Sequence, residues 1–272
     1  MNRRQLLVAI AFSPLLARAA AAPGAFVVHP YDTPSRIYAR FRPLTLYLGG
    51  VVGQPLRLVI ARSYDEQIEI IASGRADFAY LGPTPYIRAR KLAKVELLGG
   101  ESESGQAFYQ SALVVHADSL ITKVTDLAGK RIAFGNEISM SSAVAPKLIL
   151  AQAGVRQKDL AAIEHLDRHE RVALSVLHGD FDAGGLRLDI AKSYLPRGLR
   201  VLATSQPLPP HMIAASPRVL PEKIKQARLA LLHPDQTARE AFLALGNAVR
   251  FVEIEDAHYN VVRRMERELE NW

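Results

Sequence analysis

Cysteine is absent from all 272 residues, and that absence excludes a good deal. No disulfide staples the fold, so stability has to come from a packed apolar core. Thiolate nucleophiles, cysteine-based zinc sites and thiol capture of soft ligands are ruled out with it. Long hydrophobic runs are also missing. The apolar stretch Leu6–Leu16 is too short for a membrane span, is broken by Ser13-Pro14, and gives way to Arg18. Repeats and low-complexity tracts are absent. So are the G-x-S-x-G elbow, the H-E-x-x-H helix and the Walker-type glycine loop, which removes the commonest hydrolase, zinc-peptidase and nucleotide signatures. The formal charge is +7, yet the 34 Lys and Arg residues are scattered rather than interleaved with aromatics. That surface mildly favours anions and does not suggest a nucleic-acid partner.

What is present begins with a three-part N-terminus. Met1-Asn2-Arg3-Arg4 is a basic head, Leu6–Leu16 an apolar run and Ala17–Ala22 a tract of small residues with A-x-A-like cleavage options. This is the layout of a secretory leader over residues 1–22, with Arg3-Arg4 leaving twin-arginine export as the alternative route. Export to the periplasm is the expectation, with no stable membrane insertion once the leader is removed. Loss of Arg3, Arg4 and Arg18 with the leader lowers the charge to about +4, and about 250 residues remain.

Those residues alternate between strand and helix patterns, which predicts an α/β fold. Strands are expected at Ala25–His29, Pro55–Ala61, Phe78–Leu81, Ala112–Val115, Ile132–Phe134, Phe181–Gly184 and Leu199–Thr204. Helices are expected at Pro34–Leu48, Asp65–Ser73, from about Ser142 to Ala153, Arg171–Leu177 and Leu188–Lys192. The C-terminal part reads as helical: Pro221–Leu232, Asp235–Leu245 and Asp256–Glu270. Two segments, His116–Ser119 and the proline-rich Ser205–His211, read as crossings between lobes; the second continues neither helix nor central strand, although a surface loop explains it equally. If both cross one boundary, the expected organisation is a lobe of residues 23–117 plus 211–272 and a second lobe of residues 118–210, joined by a hinge around a cleft.

Two segments carry chemistry. In Ser73–Tyr86 an apolar strand stops at Gly82-Pro83 and a helix follows, which puts Tyr80 and Tyr86 at the carboxyl end of a strand, where α/β sheets bind ligands. In Gly135–Pro146 a strand feeds a hydroxyl-rich loop and then a helix. Ser139, Ser141 and Ser142 beside unpaired backbone N–H groups suit a tetrahedral oxyanion, although N-capping alone also explains a serine there. The helix dipole adds only about 0.3–2 kcal/mol, so several donors must converge.

These segments, in their order, resemble the periplasmic solute-binding proteins of phosphonate/phosphite ABC transporters. Gly74-Arg75-Ala76-Asp77-Phe78-Ala79-Tyr80-Leu81-Gly82-Pro83 follows that family's G-x-(V/A)-D-(I/F)-A-(Y/W)-x-G-P segment. Ser139-Met140-Ser141-Ser142 with Pro146 stands where the family has Ser-Thr-Ser-Gly and a following Pro. Tyr64, Tyr109 and His169 match its ligand-contacting tyrosines and histidine, and Gly179–Ala183 matches its second-lobe G-x-V-D-A strand. The resemblance runs from about residue 30 to Tyr259. It implies a two-lobed type-II periplasmic binding protein fold, a small anionic ligand, a membrane permease as partner and no cofactor. A sensor subunit acting on a membrane histidine kinase is the alternative.

Departures from the pattern bear on the ligand. Met140 replaces the family's Thr and Ser142 its Gly. Asp189 aligns with a carboxylate that pairs with the amine in aminoalkylphosphonate binders, while His211 replaces the second acid, so an aminophosphonate site is incomplete. By this reading Met140 lies beside the anion, and Met140→Thr raises affinity for phosphonate or phosphite. The remaining histidines, among them His29, His165, His178, His233 and His258, show no metal-ligand spacing and read as surface or capping residues. Asp77 and Asp182 read as structural. A Ser139–His169–Asp189 triad exists only on paper, and the chain is not expected to be an enzyme.

Overall fold

The computed structural model describes residues 23–246 and 248–272; the leader expected over residues 1–22 lies outside them. The first sheet combines β1 (Gly24–Val28), β2 (Leu56–Ile60), β3 (Phe78–Leu81), β4 (Glu96–Glu103), β10 (Met212–Ala215) and β11 (Val249–Val252) in the order β11-β4-β10-β3-β1-β2. Within it β1, β2 and β3 are parallel, whereas β10 runs antiparallel to β3 and β4. The second sheet combines β5 (Ser111–His116), β6 (Arg131–Phe134), β7 (Ala162–His165), β8 (Ala183–Arg187) and β9 (Leu199–Thr204) in the order β7-β6-β8-β5-β9.

Both sheets are covered on both faces, so the inner strands β1, β3, β10, β5 and β8 are buried along nearly their whole length and sort their side chains by alternation. In β1, Ala25 and Val27 enter one core while Phe26 and Val28 enter another. In β5, Leu113 and Val115 face one side of the second sheet and Ala112 and Val114 the other. The covering helices are α1 (Pro34–Val51), α2 (Tyr64–Ala72), α3 (Pro83–Leu92), α7 (Pro221–Leu232), α8 (Arg239–Leu245) and α9 (Asn260–Glu268) on the first lobe. On the second they are α4 (Ala145–Gln152), α5 (His169–Leu177) and α6 (Leu188–Tyr194). In α1, Pro34 takes a first-turn position where its missing N–H costs nothing, and Ile37, Phe41, Leu44 and Leu48 form the buried stripe.

The two lobes use one device at matching places. Asp77 opens the loop into β3, and its Oδ2 accepts the Ala25 N–H of β1 at 2.8 Å, while Asp77 N–H donates to Ala25 O at 2.8 Å. Asp182 repeats this on Arg131 of β6, at 2.8 and 2.9 Å. Each carboxylate thus pins the start of one parallel strand to the start of its neighbour, which is the structural role expected from the sequence.

Several sequence expectations need correction. Strand β11 returns to the first sheet between the helices expected in the C-terminal part, and β4, β7 and β10 are three further strands that the reading passed over. The first passage between sheets is residues 104–110, not His116–Ser119. Because β5 pairs with β8 and β9, residues 111–117 sit with the second lobe rather than the first. Residues 205–211 link β9 to β10. The two passages pair with one another, Tyr109 N–H donating to Leu208 O at 3.1 Å and Leu208 N–H to Tyr109 O at 2.8 Å. Among the described residues no helix is long and apolar enough to cross a membrane.

Candidate functional site

A cavity of about 240 Å³ lies between the lobes, at the carboxyl ends of their parallel strands. From the first lobe it is lined by His29, Tyr31 and Asp32 just after β1, by Arg40 of α1, Tyr64 of α2, Tyr80 of β3 and His211 just before β10. From the second it is lined by Ser139, Ser141, His169, Arg187, Asp189 and Ile190.

The serine segment is built as a π turn, Met140–Val144, running into α4. Such wide turns concentrate at functional sites because they leave backbone groups free at the helix start. Ser139 caps it, its Oγ accepting the Ser142 N–H at 3.4 Å. Ser111 Oγ donates to Ser141 O at 2.6 Å, tying the turn to β5. Close approach to β8 requires glycine: a Cβ on Gly185 would meet Ser142 O and Pro146 Cγ at 2.7 Å, and one on Gly135 would collide with Ser142 Oγ. The turn splits its side chains. Ser139 and Ser141 face the cavity. Met140 is buried on the opposite side, where Thr84 Oγ1 donates to its Sδ at 3.5 Å. Ser142 is tucked behind, with a buried Oγ that has no partner.

The first-lobe wall is an aromatic array. The His29 ring lies 4.6 Å from Tyr64 and 5.1 Å from Tyr31, and it stacks at 6.1 Å on both Tyr80 and His211. His211 also stacks on Tyr80 at 5.3 Å and lies 5.4 Å from Tyr109. Behind the wall, the Arg40 guanidinium donates to Tyr31 Oη at 3.2 Å and to Glu101 Oε1 at 3.1 Å, and the Tyr80 hydroxyl donates to the other Glu101 oxygen. A buried carboxylate is tolerated here because it is both paired and hydrogen-bonded.

All three cavity histidines are held neutral. Burial pushes His29 down to about 3 and His169 down to about 4, and it holds His211 well below the usual imidazole range. Nearby cations, Arg187 above all for His169 and His211, act in the same direction. His169 Nδ1 accepts the Arg187 N–H at 3.4 Å, which puts the ring proton on Nε2 and makes that atom a donor. Burial likewise keeps the Tyr64 and Tyr109 phenols protonated, and Tyr64 meets Ser139 across the cleft. The cavity is therefore rich in neutral N–H and O–H donors with a guanidinium on each side, an arrangement that receives an anion.

Of the sequence candidates, Tyr64, Tyr80, Ser139, Ser141, His169, Asp189 and His211 come together in this cavity. Tyr109 stands at its edge beneath Arg187, and Met140 and Ser142 point elsewhere. Tyr86 is buried in the first lobe, its hydroxyl donating to Asp256 Oδ1 at 3.0 Å. His29 corrects its reading as a surface residue, being 2% exposed and at the centre of the array. His165 is half-buried on β7, where Nδ1 contacts Gly135 O at 2.7 Å and Nε2 meets Lys147 Nζ at 3.3 Å. Tyr31, Asp32, Arg40 and Arg187 were missed. Two of them carried a signal: Arg40 lies three residues after Ile37 on the buried stripe of α1, and Arg187 ends a strand. The paper triad does not form, because His169 Nδ1 is taken by a backbone N–H and Asp189 Oδ1 lies 2.9 Å from Arg187 Nε.

A sequence model of the periplasmic substrate-binding proteins of phosphonate ABC transporters matches residues 26–259. The chain belongs to that family. Like its relatives, this phosphonate-family binding protein serves substrate capture for an ABC importer and not catalysis. Solved structures agree on the fold. PhnD1 from Prochlorococcus marinus, in complex with methylphosphonate, superposes with a TM-score of 0.81 at 18% identity, covering 92% of this chain and 98% of that one. A binding protein component of an ABC phosphonate transporter from Pseudomonas aeruginosa gives 0.77 at 18% identity, over 90% and 85%. The aliphatic sulphonate binding protein SsuA from Escherichia coli gives 0.60 at 17% identity, over 90% and 86%. Neither the family nor these structures support the sensor-kinase alternative.

Proposed function

We propose that the interlobe cavity binds a small oxyanion of the phosphonate or phosphite type and delivers it to a membrane permease after export through the leader at residues 1–22. The observation that carries this reading is convergence. Ser139, Ser141 and the His169 Nε2 donor come from one lobe, and Tyr64, His211 and Arg40 from the other. A tetrahedral oxyanion presents three or four acceptor atoms, enough to engage both walls at once. That PhnD1, at TM-score 0.81, holds methylphosphonate supports the same ligand class here. Hinge closure follows from the two-walled site: the open form offers the ligand half the contacts, so binding shifts the population towards the closed form. The paired passages at Tyr109 and Leu208 are where the hinge would bend.

Calorimetry with methylphosphonate and phosphite tests the reading. Ser139→Ala together with Ser141→Ala is expected to weaken binding by about 1–3 kcal/mol, the cost of leaving a buried oxyanion without its partners. Undiminished affinity in a folded double variant removes the serine turn from the site.

A further inference from the structure

The cavity has more cationic donor capacity than one oxyanion uses. Arg40 and Arg187 line it from opposite lobes, and the Nε–H of each is buried without an aligned acceptor. Arg40 is largely committed, to Tyr31 and Glu101. Arg187 is less so. Its Nε is ion-paired with Asp189 Oδ1 at 2.9 Å without the alignment of a hydrogen bond, and among the described residues its terminal nitrogens make no hydrogen bond, one of them standing 3.8 Å from Glu103 across the lobe boundary. The side chain is only 18% exposed, and its guanidinium lies over the Tyr109 ring at 5.1 Å, a contact that helps hold it in place. A planar guanidinium, held in place with its terminal donors open, fits a carboxylate through two parallel hydrogen bonds.

Asp189 argues in the same direction. A ligand ammonium brought up to this carboxylate also comes up to the guanidinium beside it, so attraction and repulsion largely cancel. A ligand carboxylate instead gains Arg187, whose nearest anionic neighbours, Asp189 and Glu103, are more than half exposed at 56% and 58% and so are screened by solvent.

We propose that this cavity selects a ligand with two acid groups, a phosphonate seated at Ser139, Ser141 and His169 and a carboxylate read by Arg187. The inference rests on the phosphonate reading above.

Calorimetry on the full mature chain with phosphonoacetate, methylphosphonate and aminoethylphosphonate tests it. Phosphonoacetate is expected to bind about tenfold or more tighter than methylphosphonate, the scale of one added pair of charge-assisted hydrogen bonds. Aminoethylphosphonate is expected to bind weakest. In Arg187→Gln the advantage of phosphonoacetate over methylphosphonate should fall to about twofold or less, while Arg187→Lys, which keeps the charge without the planar fork, should retain part of it. If methylphosphonate binds and phosphonoacetate binds no tighter, the proposal is overturned and the phosphonate reading stands. If the advantage survives in a folded Arg187→Gln, the role of Arg187 is overturned. If no phosphonate binds, the phosphonate reading falls and takes this proposal with it. The wild-type ranking decides the matter even if the glutamine variant does not fold.

Discussion

The lobes meet along a boundary whose two sides differ in kind. On one side is the cavity, walled by serines, histidines, tyrosines and two arginines. On the other is an apolar seam, in which Ile138, Met140, Val144, Ala145 and Leu148 of the second lobe join Tyr86, Ile87, Tyr259, Val262 and Met265 of the first in one buried cluster. A single segment supplies both, since Ser139 and Ser141 face the cavity while Met140 and Val144 enter the seam. The difference separates two jobs. Apolar burial is non-directional, so the seam changes how readily the lobes sit together and has no means of telling one oxyanion from another. The polar side distinguishes ligands because its donors are fixed in direction. A lesion in the seam should therefore scale the affinity of every ligand by one factor, and a lesion in the cavity should reorder them.

Acid is expected to separate the two sides most strongly. His29, His169 and His211 are buried neutral, with His29 at about 3 and His169 at about 4, against about 6.5 in the unfolded chain. Between those values the unfolded chain binds more protons than the folded one. Stability is thus fully present above about pH 6.5 and is lost as pH falls towards the folded values. Each site costs about 1.4 kcal/mol per pH unit in that window, so His29 and His169 together remove about 4 kcal/mol by about pH 5, and His211 acts in the same direction. The seam side chains themselves are aliphatic, thioether or phenolic and do not titrate over this range. Urea denaturation at a series of pH values measures the slope. A stability flat from about pH 7 to about pH 5 contradicts burial of three neutral imidazoles.

Met140→Thr tests the seam. Read from the sequence alone, this exchange adds a hydroxyl beside the anion and raises affinity. With Met140 3% exposed and packed away from the cavity, the expected sign reverses. Removing the thioether and burying a hydroxyl in the seam should cost about 2–4 kcal/mol of stability. The affinity for phosphonate and for phosphite should fall by the same factor, which urea melts and calorimetry together would show. A gain confined to phosphonates would return Met140 to the ligand.

That reversal shows where sequence reasoning stops. Strands β3 and β9 and helix α7 are legible end to end, because each is an uninterrupted apolar or amphipathic run with clear punctuation. Asp77 and Asp182 are legible as twins because their surroundings repeat. The serine turn is legible as a helix start, but which of its side chains face the ligand depends on one wide π turn, and no periodicity announces that. Strand β4 was missed because Glu96–Glu103 is rich in glycine and charge. Its Glu101 becomes a buried residue only through Arg40 and Tyr80, partners 61 and 21 positions away. Strands β10 and β11 have four residues each, and β7 pairs with only one neighbour, β6, so none of them builds a pattern long enough to read. His29 and Arg187 follow the rule that ligands gather at the carboxyl ends of strands. A search for polar residues at the last position of each expected strand would have found His29, which ends the expected Ala25–His29.

The smallest expected effect is the most diagnostic of the cavity's edge. Tyr109 has a buried hydroxyl with no hydrogen-bond partner, although its ring is packed by Arg187 and His211. A buried donor without an acceptor is a cost carried by the free protein, so Tyr109→Phe should leave the unliganded chain as stable as before or more stable, by up to about 1 kcal/mol. If a bound anion supplies the missing acceptor, the same change should weaken binding by about 1 kcal/mol, mostly through faster release. Stability and affinity would then move in opposite directions on loss of one oxygen atom. A seam residue cannot produce that pairing of signs, because lost packing lowers both. Thermal melts of the free protein and stopped-flow release of the ligand measure the two arms. A Tyr109→Phe chain that loses stability while binding unchanged would place the hydroxyl in the structure of the hinge and outside the ligand's reach.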